Sequence, residues 1–316
     1  MSYFVQNTKP LFLEHKIIPN QEIFLDLFFK SNITLVLKRE DLLHPFVSGN
    51  KFRKLKYNVL EAKKLKKKTL LTFGGAYSNH IAATAAAGQE LDIATIGIIR
   101  GEELANKLVK NPTLQFAEQC GMQLHYITRE AYRNKTNPRF IEDFKEMFGD
   151  FYLVPEGGTN ELAIKGCTEI LSETDKEYDY ICTAVGTGGT LSGLVKSSGK
   201  QQHIVGFSAL KGAFQTSKVE KYTSKTNYKI IDDYCFGGYA KIDSELVRFI
   251  NEFKEKTGIP LDPIYTGKMM FGILDLIRKG YFKENSRILA IHTGGLQGIP
   301  GMNQYLKKKN LPQINS

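Results

Sequence analysis

Cysteine is scarce in this sequence, and long apolar runs are missing. The four cysteines among 316 residues are widely separated: Cys120, Cys167, Cys182 and Cys235. Their spacing does not match a metal site, so we expect no bound metal. No apolar run approaches the roughly 20 residues that span a bilayer, and the N-terminus lacks a basic start followed by a long apolar stretch. We therefore expect a cytoplasmic protein with reduced thiols and no membrane partner.

Acidic residues are fewer than basic ones, 33 against 43, which gives a formal net charge of +10. Many of the lysines lie in two clusters, at 61–68 and 307–309. Such clusters predict solvated surface faces that aid solubility, and a basic funnel that attracts an anionic small molecule is the weaker alternative. The composition is otherwise ordinary for a globular protein, and the length allows one large or two moderate domains.

Short β-like runs alternate with helical stretches along the chain. Thr69–Phe73 predicts a buried strand, and the following segment predicts a helix from Ser78 to about Gln89. A further helix is predicted at 102–119, and an amphipathic one at 242–256. This β-α-β-α order is typical of parallel sheets with crossover helices. Because two such series follow one another, we predict an α/β protein with two domains and a cleft between them.

Three polar, glycine-containing segments carry the candidate chemistry. Ser48–Lys51 supplies a lysine amine, Gly74–His80 follows the predicted strand, and Gly186–Thr190 follows an apolar run. A glycine-rich loop between a strand and a helix presents backbone N–H groups to a phosphate. A reactive lysine beside a phosphate cup favours pyridoxal phosphate, which needs a covalent lysine partner and an anion anchor. From the residues alone, Lys51 also fits a surface lysine, and a glycine-rich loop is a weak signal.

Together these segments resemble the 1-aminocyclopropane-1-carboxylate (ACC) deaminase and D-cysteine desulfhydrase family of fold-type II pyridoxal-phosphate enzymes. The matching segments run from about Lys38 to Gln297. The resemblance implies two three-layer α/β/α domains with mainly parallel sheets. It places residues 1–51 and 158–316 in a discontinuous large domain and residues 52–157 in a small one. It also implies a homodimer that acts on a small amino acid and has no nucleic-acid partner.

The resemblance also assigns roles to individual residues. Lys51 would bond covalently to pyridoxal 5'-phosphate and act as the base at the substrate Cα, with Ser78 or Tyr265 assisting. Asn79 would hydrogen-bond the phenolic oxygen of the cofactor, and Tyr239 would approach the cofactor and the substrate. The residues expected at the phosphate are Gly186, Thr187, Gly188, Gly189, Thr190 and Lys54.

Several of these residues have alternatives in the same sequence, and Tyr239 and Tyr265 also fit packed tyrosines whose hydroxyls are satisfied. Ser78 is either a helix cap or a hydroxyl that faces the substrate carboxylate, and both roles can hold together. His80 is either a packed, hydrogen-bonded side chain or a helper at the site. Lys54 either adds charge at the phosphate or faces solvent.

Two threonines separate the activities within this family. ACC deaminases have a glutamate directly after the tyrosine that corresponds to Tyr265 and a leucine at the place of Thr293, whereas D-cysteine desulfhydrases have threonine at both. This chain has Thr266 and Thr293, which we expect at the pyridine nitrogen of the cofactor. Because a hydroxyl offers no full charge to keep that nitrogen protonated, the pair favours loss of sulfide over opening of a cyclopropane.

We therefore predict a D-cysteine desulfhydrase that forms pyruvate, ammonia and hydrogen sulfide. The alternative is an ACC deaminase that forms 2-oxobutanoate and ammonia, and an amino-acid racemase or dehydratase is more distant. A basic, non-catalytic nucleic-acid-binding protein would explain the net charge. It would leave the Lys51 segment and the glycine-rich loop unexplained, and the chain lacks an aromatic–basic RNA motif.

Overall fold

A computed structural model describes residues 11–12, 16–212 and 215–315. The strands are β1 Asn20–Ile23, β2 Thr34–Lys38, β3 Thr69–Gly74, β4 Ala94–Arg100, β5 Gln123–Ile127, β6 Tyr152–Val154, β7 Tyr180–Val185, β8 His203–Ser208, β9 Tyr228–Ile231 and β10 Arg287–Ile291. The α-helices are α1 Asn50–Lys64, α2 Asn79–Leu91, α3 Pro112–Gln119, α4 Pro138–Phe148, α5 Glu161–Thr168, α6 Gly189–Ser197, α7 Thr216–Glu220, α8 Ser244–Thr257, α9 Thr266–Arg278 and α10 Ile299–Lys308. None of the helices in these ranges is long and apolar enough to cross a membrane.

Six strands form the larger sheet, in the order β1-β2-β10-β7-β8-β9. Only the β1–β2 pair is antiparallel among the pairs of this sheet. Side chains of β2 alternate between its two faces, as the strand period requires. Leu35 and Leu37 pack in one core with residues of α8, α9 and α10, and Val36 packs in another with residues of α5 and α6. The sheet is therefore covered by helices on both faces.

Four parallel strands form the second sheet, in the order β5-β4-β3-β6. Leu70 of β3 packs in a core with residues of α1, α2 and α3. Leu71 and Phe73 point to the other face, where they pack with Phe144 of α4. Two mostly parallel sheets with helices on both faces confirm the predicted α/β class.

The chain enters the larger sheet twice. Residues 20–38 supply β1 and β2, residues 69–154 build the second sheet, and residues 180–291 complete the first. Helix α1 packs closely on α5. This contact leaves no room for a side chain at Gly166, where a Cβ would lie only 1.8 Å from the carbonyl oxygen of Arg53. The predicted boundary after residue 51 falls inside α1, and the division into 1–51 with 158–316 and 52–157 stays a prediction. Residues 1–10, 13–15, 213–214 and 316 of that division lie outside the described ranges.

One predicted helix is wrong in its extent. The segment 102–119 holds a 3₁₀ helix, Glu102–Lys110, and then the separate helix α3. Proline has no N–H and suits the first position of a helix. Pro112 therefore starts a new helix, and the side chain of Asn111 caps it by accepting the N–H of Leu114.

Candidate active site

A cleft of about 860 Å³ opens at the carboxyl ends of β3, β7 and β10. Ligands of open α/β sheets bind outside the carboxyl ends of the strands, and small-molecule sites measure on the order of 300–1,000 Å³. Most of the site residues predicted from sequence line this cleft: Lys51, Lys54, Ser78, Asn79, Gly186, Thr187, Gly188, Gly189, Thr190, Tyr239, Tyr265 and Thr293. His80 also lines it, whereas Thr266 does not.

Contacts with two other segments fix the lysine-bearing segment at the start of α1. Gly49 has φ 60°, and a Cβ there would lie 2.0 Å from the carbonyl oxygen of Thr293, so the position requires glycine. The backbone N–H of Asn50 donates to the same carbonyl at 3.3 Å. Its side-chain amide donates to Thr190 Oγ1 at 2.9 Å. Lys51 is thereby placed between the loop after β7 and the residues after β10.

Two lysine amines meet at one backbone carbonyl. Lys51 Nζ donates to the Gly157 carbonyl at 3.3 Å, and Lys54 Nζ donates to it at 3.1 Å. Burial, and then the nearby charge of Lys54, lowers the pKa of Lys51 well below 10.5, and burial lowers the pKa of Lys54 as well. Lys54 is only 2% exposed, so the alternative of a solvent-facing lysine is wrong. A lysine with a lowered pKa presents the free amine that attacks an aldehyde.

The loop after β7 forms a cup against Lys54. Gly188, with φ 91°, is the N-cap of α6. A Cβ on Gly189 would lie 2.9 Å from Thr159 Oγ1 and 3.1 Å from Lys54 Nζ, so it would fill the cup. Lys54 Nζ also donates to Thr159 Oγ1 at 3.0 Å and to Thr187 Oγ1 at 3.3 Å. Backbone N–H groups at a helix start, beside a buried amine, make an anion site that fits a phosphate.

Ser78 and Asn79 lie at the start of α2. Ser78 is the N-cap of α2, and its Oγ accepts the N–H of Ile81 at 3.3 Å. Ser78 also lines the cleft. Cap and cleft-facing hydroxyl are therefore compatible. Asn79 lies close to the loop after β10. A Cβ on Gly295 of that loop would lie only 2.8 Å from Asn79 Nδ2.

His80 is a buried, hydrogen-bonded side chain that also borders the cleft. Its Nε2 lies 2.8 Å from Thr72 Oγ1. Because Thr72 Oγ1 donates its proton to the carbonyl of Val154 at 2.8 Å, it accepts the Nε2–H of His80. Burial, together with the charges of Lys51 and Lys54, lowers the pKa of His80 well below 6.5. The imidazole is therefore neutral.

Two tyrosines form one wall of the cleft. Tyr265 is the N-cap residue of α9, and its ring lies over Gly186, where a Cβ would come within 3.1 Å of it. The rings of Tyr239 and Tyr265 are 6.4 Å apart in an edge-to-face arrangement. Burial, and then the neighbouring Tyr239, raises the pKa of Tyr265 well above 10. Tyr265 therefore stays protonated at neutral pH and acts as a hydrogen-bond donor.

The two threonines are not equivalent in the structure. Thr293 follows β10 and lines the cleft. Thr266 is fully buried, and its hydroxyl donates to Asp262 Oδ1 at 2.8 Å and accepts the N–H of Asp262 at 2.9 Å. The only proton of the Thr266 hydroxyl is thus committed to a carboxylate. Thr266 does not line the cleft, and its expected contact with the cofactor ring stays a prediction.

Sequence reasoning missed Asp262. Its carboxylate also accepts the backbone N–H groups of Ile264, Tyr265 and Thr266, at 3.0, 3.1 and 2.7 Å, so it caps the start of α9. An aspartate ahead of a helix start is a capping signal that was available in the sequence. Thr159, at the phosphate cup, has no such signal because its contact with Lys54 joins residues far apart in the chain.

The cysteines and acidic residues do not form a metal centre in the described part of the chain. No group of three or more histidine, cysteine, aspartate or glutamate side chains there could hold a metal ion. All four cysteines are buried and free: Cys120, Cys167, Cys182 and Cys235.

Comparisons with known proteins agree with this geometry. The family described as "Pyridoxal-phosphate dependent enzyme" matches residues 24–294. A "Putative 1-aminocyclopropane-1-carboxylate deaminase" of Pyrococcus abyssi is 31% identical over 294 residues, which cover 84% of this chain and 86% of that protein. A "Bifunctional D-cysteine desulfhydrase/1-aminocyclopropane-1-carboxylate deaminase, mitochondrial" of Arabidopsis thaliana is 30% identical over 298 residues, covering 84% and 73%. A solved structure of an ACC deaminase homologue has a TM-score of 0.80 at 28% identity, covering 92% of this chain and 93% of that one.

The site fits the cofactor of this family on its own evidence. Lys51 supplies an amine with a lowered pKa, and the cup at Gly189 and Lys54 suits a phosphate. The family match covers most of the chain, and the fold matches that of a solved relative. The chain therefore belongs to the pyridoxal-phosphate dependent enzymes, and its cofactor is pyridoxal 5'-phosphate.

Proposed function

We propose that this enzyme is a D-cysteine desulfhydrase, a lyase that converts D-cysteine and water to pyruvate, ammonia and hydrogen sulfide. The observation that carries the proposal is the pair of threonines, Thr266 and Thr293, at the places where ACC deaminases have glutamate and leucine. Thr293 brings a hydroxyl to the cleft, and Thr266 brings no carboxylate. Release of hydrosulfide from the β-carbon needs less assistance than ring opening, because hydrosulfide is a good leaving group.

Pyridoxal phosphate, when bound, supplies an electron sink that stabilises negative charge at the substrate Cα. In the proposed enzyme Lys51 holds it covalently. The loop 186–190 and Lys54 bind its phosphate, and Asn79 binds its phenolic oxygen. Each of these residues lines the same cleft, which supports the assignment.

The elimination takes one proton from Cα and gives one proton to the departing sulfur, and the two groups proposed for these transfers have pKa values shifted in opposite directions. Once the substrate amine has replaced Lys51 in its covalent bond, the Lys51 amine can take the proton from Cα, and its lowered pKa favours the uncharged form that does so. The raised pKa of Tyr265 keeps a proton on the phenol, which can donate it to the departing sulfur.

The substrate carboxylate is proposed to bind at the start of α2. The backbone N–H groups of a helix start favour an anion, and the hydroxyl of Ser78 lies there. Tyr239 forms the facing wall with Tyr265. This arrangement fixes the orientation of a small amino acid between the cofactor and the tyrosines.

ACC deamination is the second candidate, because relatives named for that activity are similar to this chain. The deciding experiment supplies D-cysteine, L-cysteine, D-serine and ACC separately to the holoenzyme and measures sulfide, pyruvate and 2-oxobutanoate. We expect sulfide and pyruvate from D-cysteine far faster than 2-oxobutanoate from ACC. Efficient opening of ACC with little sulfide would refute the desulfhydrase proposal and establish the alternative.

We also propose that the enzyme is a cytoplasmic homodimer that does not bind nucleic acid. Four free, buried cysteines suit a reducing compartment. Light scattering after size-exclusion chromatography measures the mass of the assembly, and a mass near one chain would contradict the dimer. Salt-sensitive binding of random-sequence DNA at micromolar protein would contradict the last part of the proposal.

A further inference from the structure

The loop between β9 and α8 has an unusual backbone. Four of its five consecutive residues from 236 to 240 have positive φ: Phe236 at 51°, Gly237 at 83°, Gly238 at 117° and Ala240 at 55°. Residues other than glycine rarely adopt this region. A loop with two such residues needs contacts from outside to hold its shape.

Lys268 of α9 makes two of those contacts. Its side chain is buried, with the residue 2% exposed, and Nζ donates to the carbonyls of Cys235 at 2.8 Å and Gly238 at 2.9 Å. These carbonyls also accept the turn bonds of the loop, from Gly238 N–H at 3.0 Å and from Lys241 N–H at 3.2 Å. One ammonium group therefore joins two successive turns. No carboxylate forms a salt bridge with it among the described residues, and these two carbonyls are its hydrogen-bond acceptors.

The loop carries Tyr239, directly after the clamped Gly238. Tyr239 lines the cleft, and its ring lies 6.4 Å from that of Tyr265. Tyr265 and Lys268 lie one turn apart at the start of α9. The same helix end thus places one tyrosine directly and holds the backbone beside the other.

We propose that Lys268 is a positioning residue that fixes Tyr239 against Tyr265 and so shapes the substrate side of the cleft. The link to substrate rests on the proposed function, in which Tyr239 faces the amino acid. The two hydrogen bonds from Lys268 to the loop, which we call the clamp, are independent of that function. The two parts can therefore fail separately.

The chain has no tryptophan, so Tyr239→Trp introduces a single fluorescent reporter on the loop. We compare acrylamide quenching of this Tyr239→Trp parent with that of the same protein carrying Lys268→Met. The second substitution removes the N–H donors of Lys268 but keeps an unbranched side chain. The matched control carries Lys279→Met, because Lys279 directly follows α9 and its side chain is 64% exposed. We expect roughly a doubling of the quenching constant for Lys268→Met, as the side chain at 239, which is 44% exposed as tyrosine, loses its fixed position against the Tyr265 ring, and no change for the control.

If the folded Lys268→Met variant has the same quenching constant as the Tyr239→Trp parent, the clamp is refuted. If that variant does not fold, Lys268→Gln takes its place, because the shorter amide cannot reach both carbonyls. Parental quenching in Lys268→Gln would likewise overturn the proposal, and increased quenching would support it.

Activity then tests whether Lys268 acts through Tyr239. In the natural background, Lys268→Met should lower kcat/KM for D-cysteine about tenfold, the consequence of one or two lost hydrogen bonds. In a Tyr239→Ala background the same change should have little further effect, because coupled residues are not additive. Full additivity would overturn the positioning role. If the natural protein releases no sulfide from D-cysteine, while Lys268→Met changes quenching in the Tyr239→Trp protein, the proposed function is refuted and the clamp stays intact.

Discussion

Replacing Thr266 by glutamate, the residue found there in ACC deaminases, should destabilise this protein before it changes the chemistry. Thr266 is fully buried, and both hydrogen bonds of its hydroxyl go to Asp262. Loss of these two bonds costs about 1 kcal/mol each. Fitting the longer side chain into the same space costs about 1–3 kcal/mol more. We therefore expect Thr266→Glu to lower the free energy of unfolding by roughly 3–5 kcal/mol.

The loss should depend on pH, because two carboxylates would share one buried site. Burial already raises the pKa of Asp262, and a second carboxylate raises the pKa of the pair further. A folded state that binds more protons than the unfolded chain loses stability as pH rises. The destabilisation by Thr266→Glu should therefore be larger at pH 8 than at pH 5.

The assay is urea unfolding of the cofactor-free protein, followed by circular dichroism at both pH values. Thr266→Val is the first control, since it keeps the shape of the side chain and should cost about 1–3 kcal/mol for the unpaired Asp262 groups. Thr293→Leu is the second, because Thr293 lines the cleft and should tolerate the change with a much smaller loss. A Thr266→Glu variant as stable as the natural protein at both pH values would refute the assignment of Thr266 to Asp262.

The remaining predictions concern the cofactor and the lysines. Lys51→Ala should abolish the visible absorbance of lysine-bound cofactor together with turnover; reduction with borohydride and peptide mapping to another lysine would contradict this. Gly189→Val should weaken cofactor affinity, measured by titration, because its Cβ would lie 3.1 Å from Lys54 Nζ. Gly188→Val should instead act through backbone strain at φ 91°, since its Cβ would meet atoms no closer than 3.7 Å, and the loss of stability should appear without cofactor. The cofactor-free protein should become more stable from about pH 7 to about pH 8, because burial lowers the pKa values of Lys51, Lys54 and Lys268 (the last to about 8), and the unfolded chain binds more protons there. Above this range the buried thiols of Cys120, Cys167 and Cys182, whose pKa values burial raises, oppose the gain; a flat or falling melting temperature within the lower range would contradict the prediction.

Local patterns predicted the elements that local forces determine. The strand at 69–73 is present in β3, and the helix at 242–256 is present in α8 with the same apolar face. The break at Pro112 was missed, although proline is a local signal, because apolar periodicity on both sides suggested one helix. The α/β class followed from the order of elements, which reflects how parallel strands must be connected.

The cleft was predictable where a short motif carries the function. The segment around Lys51 and the loop 186–190 were predicted to belong to one site, and both line the cleft. The partner of Thr266 was not predictable in the same way. Threonine can donate to a ligand or to the protein, and only the folded chain shows that Asp262 receives the proton.

The two sides of the cleft are built on different helices, which bears on how activity can change within this family. Helix α1 carries Lys51 and Lys54, which contact Gly157 and the phosphate cup. The start of α9 carries Tyr265 and, through Lys268, the loop of Tyr239. Because Thr266 contacts Asp262 and Lys268 contacts the loop of Tyr239, changes at these two residues can alter the substrate side while the contacts of Lys54 at the phosphate cup are kept. We therefore infer that the choice between sulfide release and ring opening is set at the start of α9 and at Thr293, with α1 common to both activities.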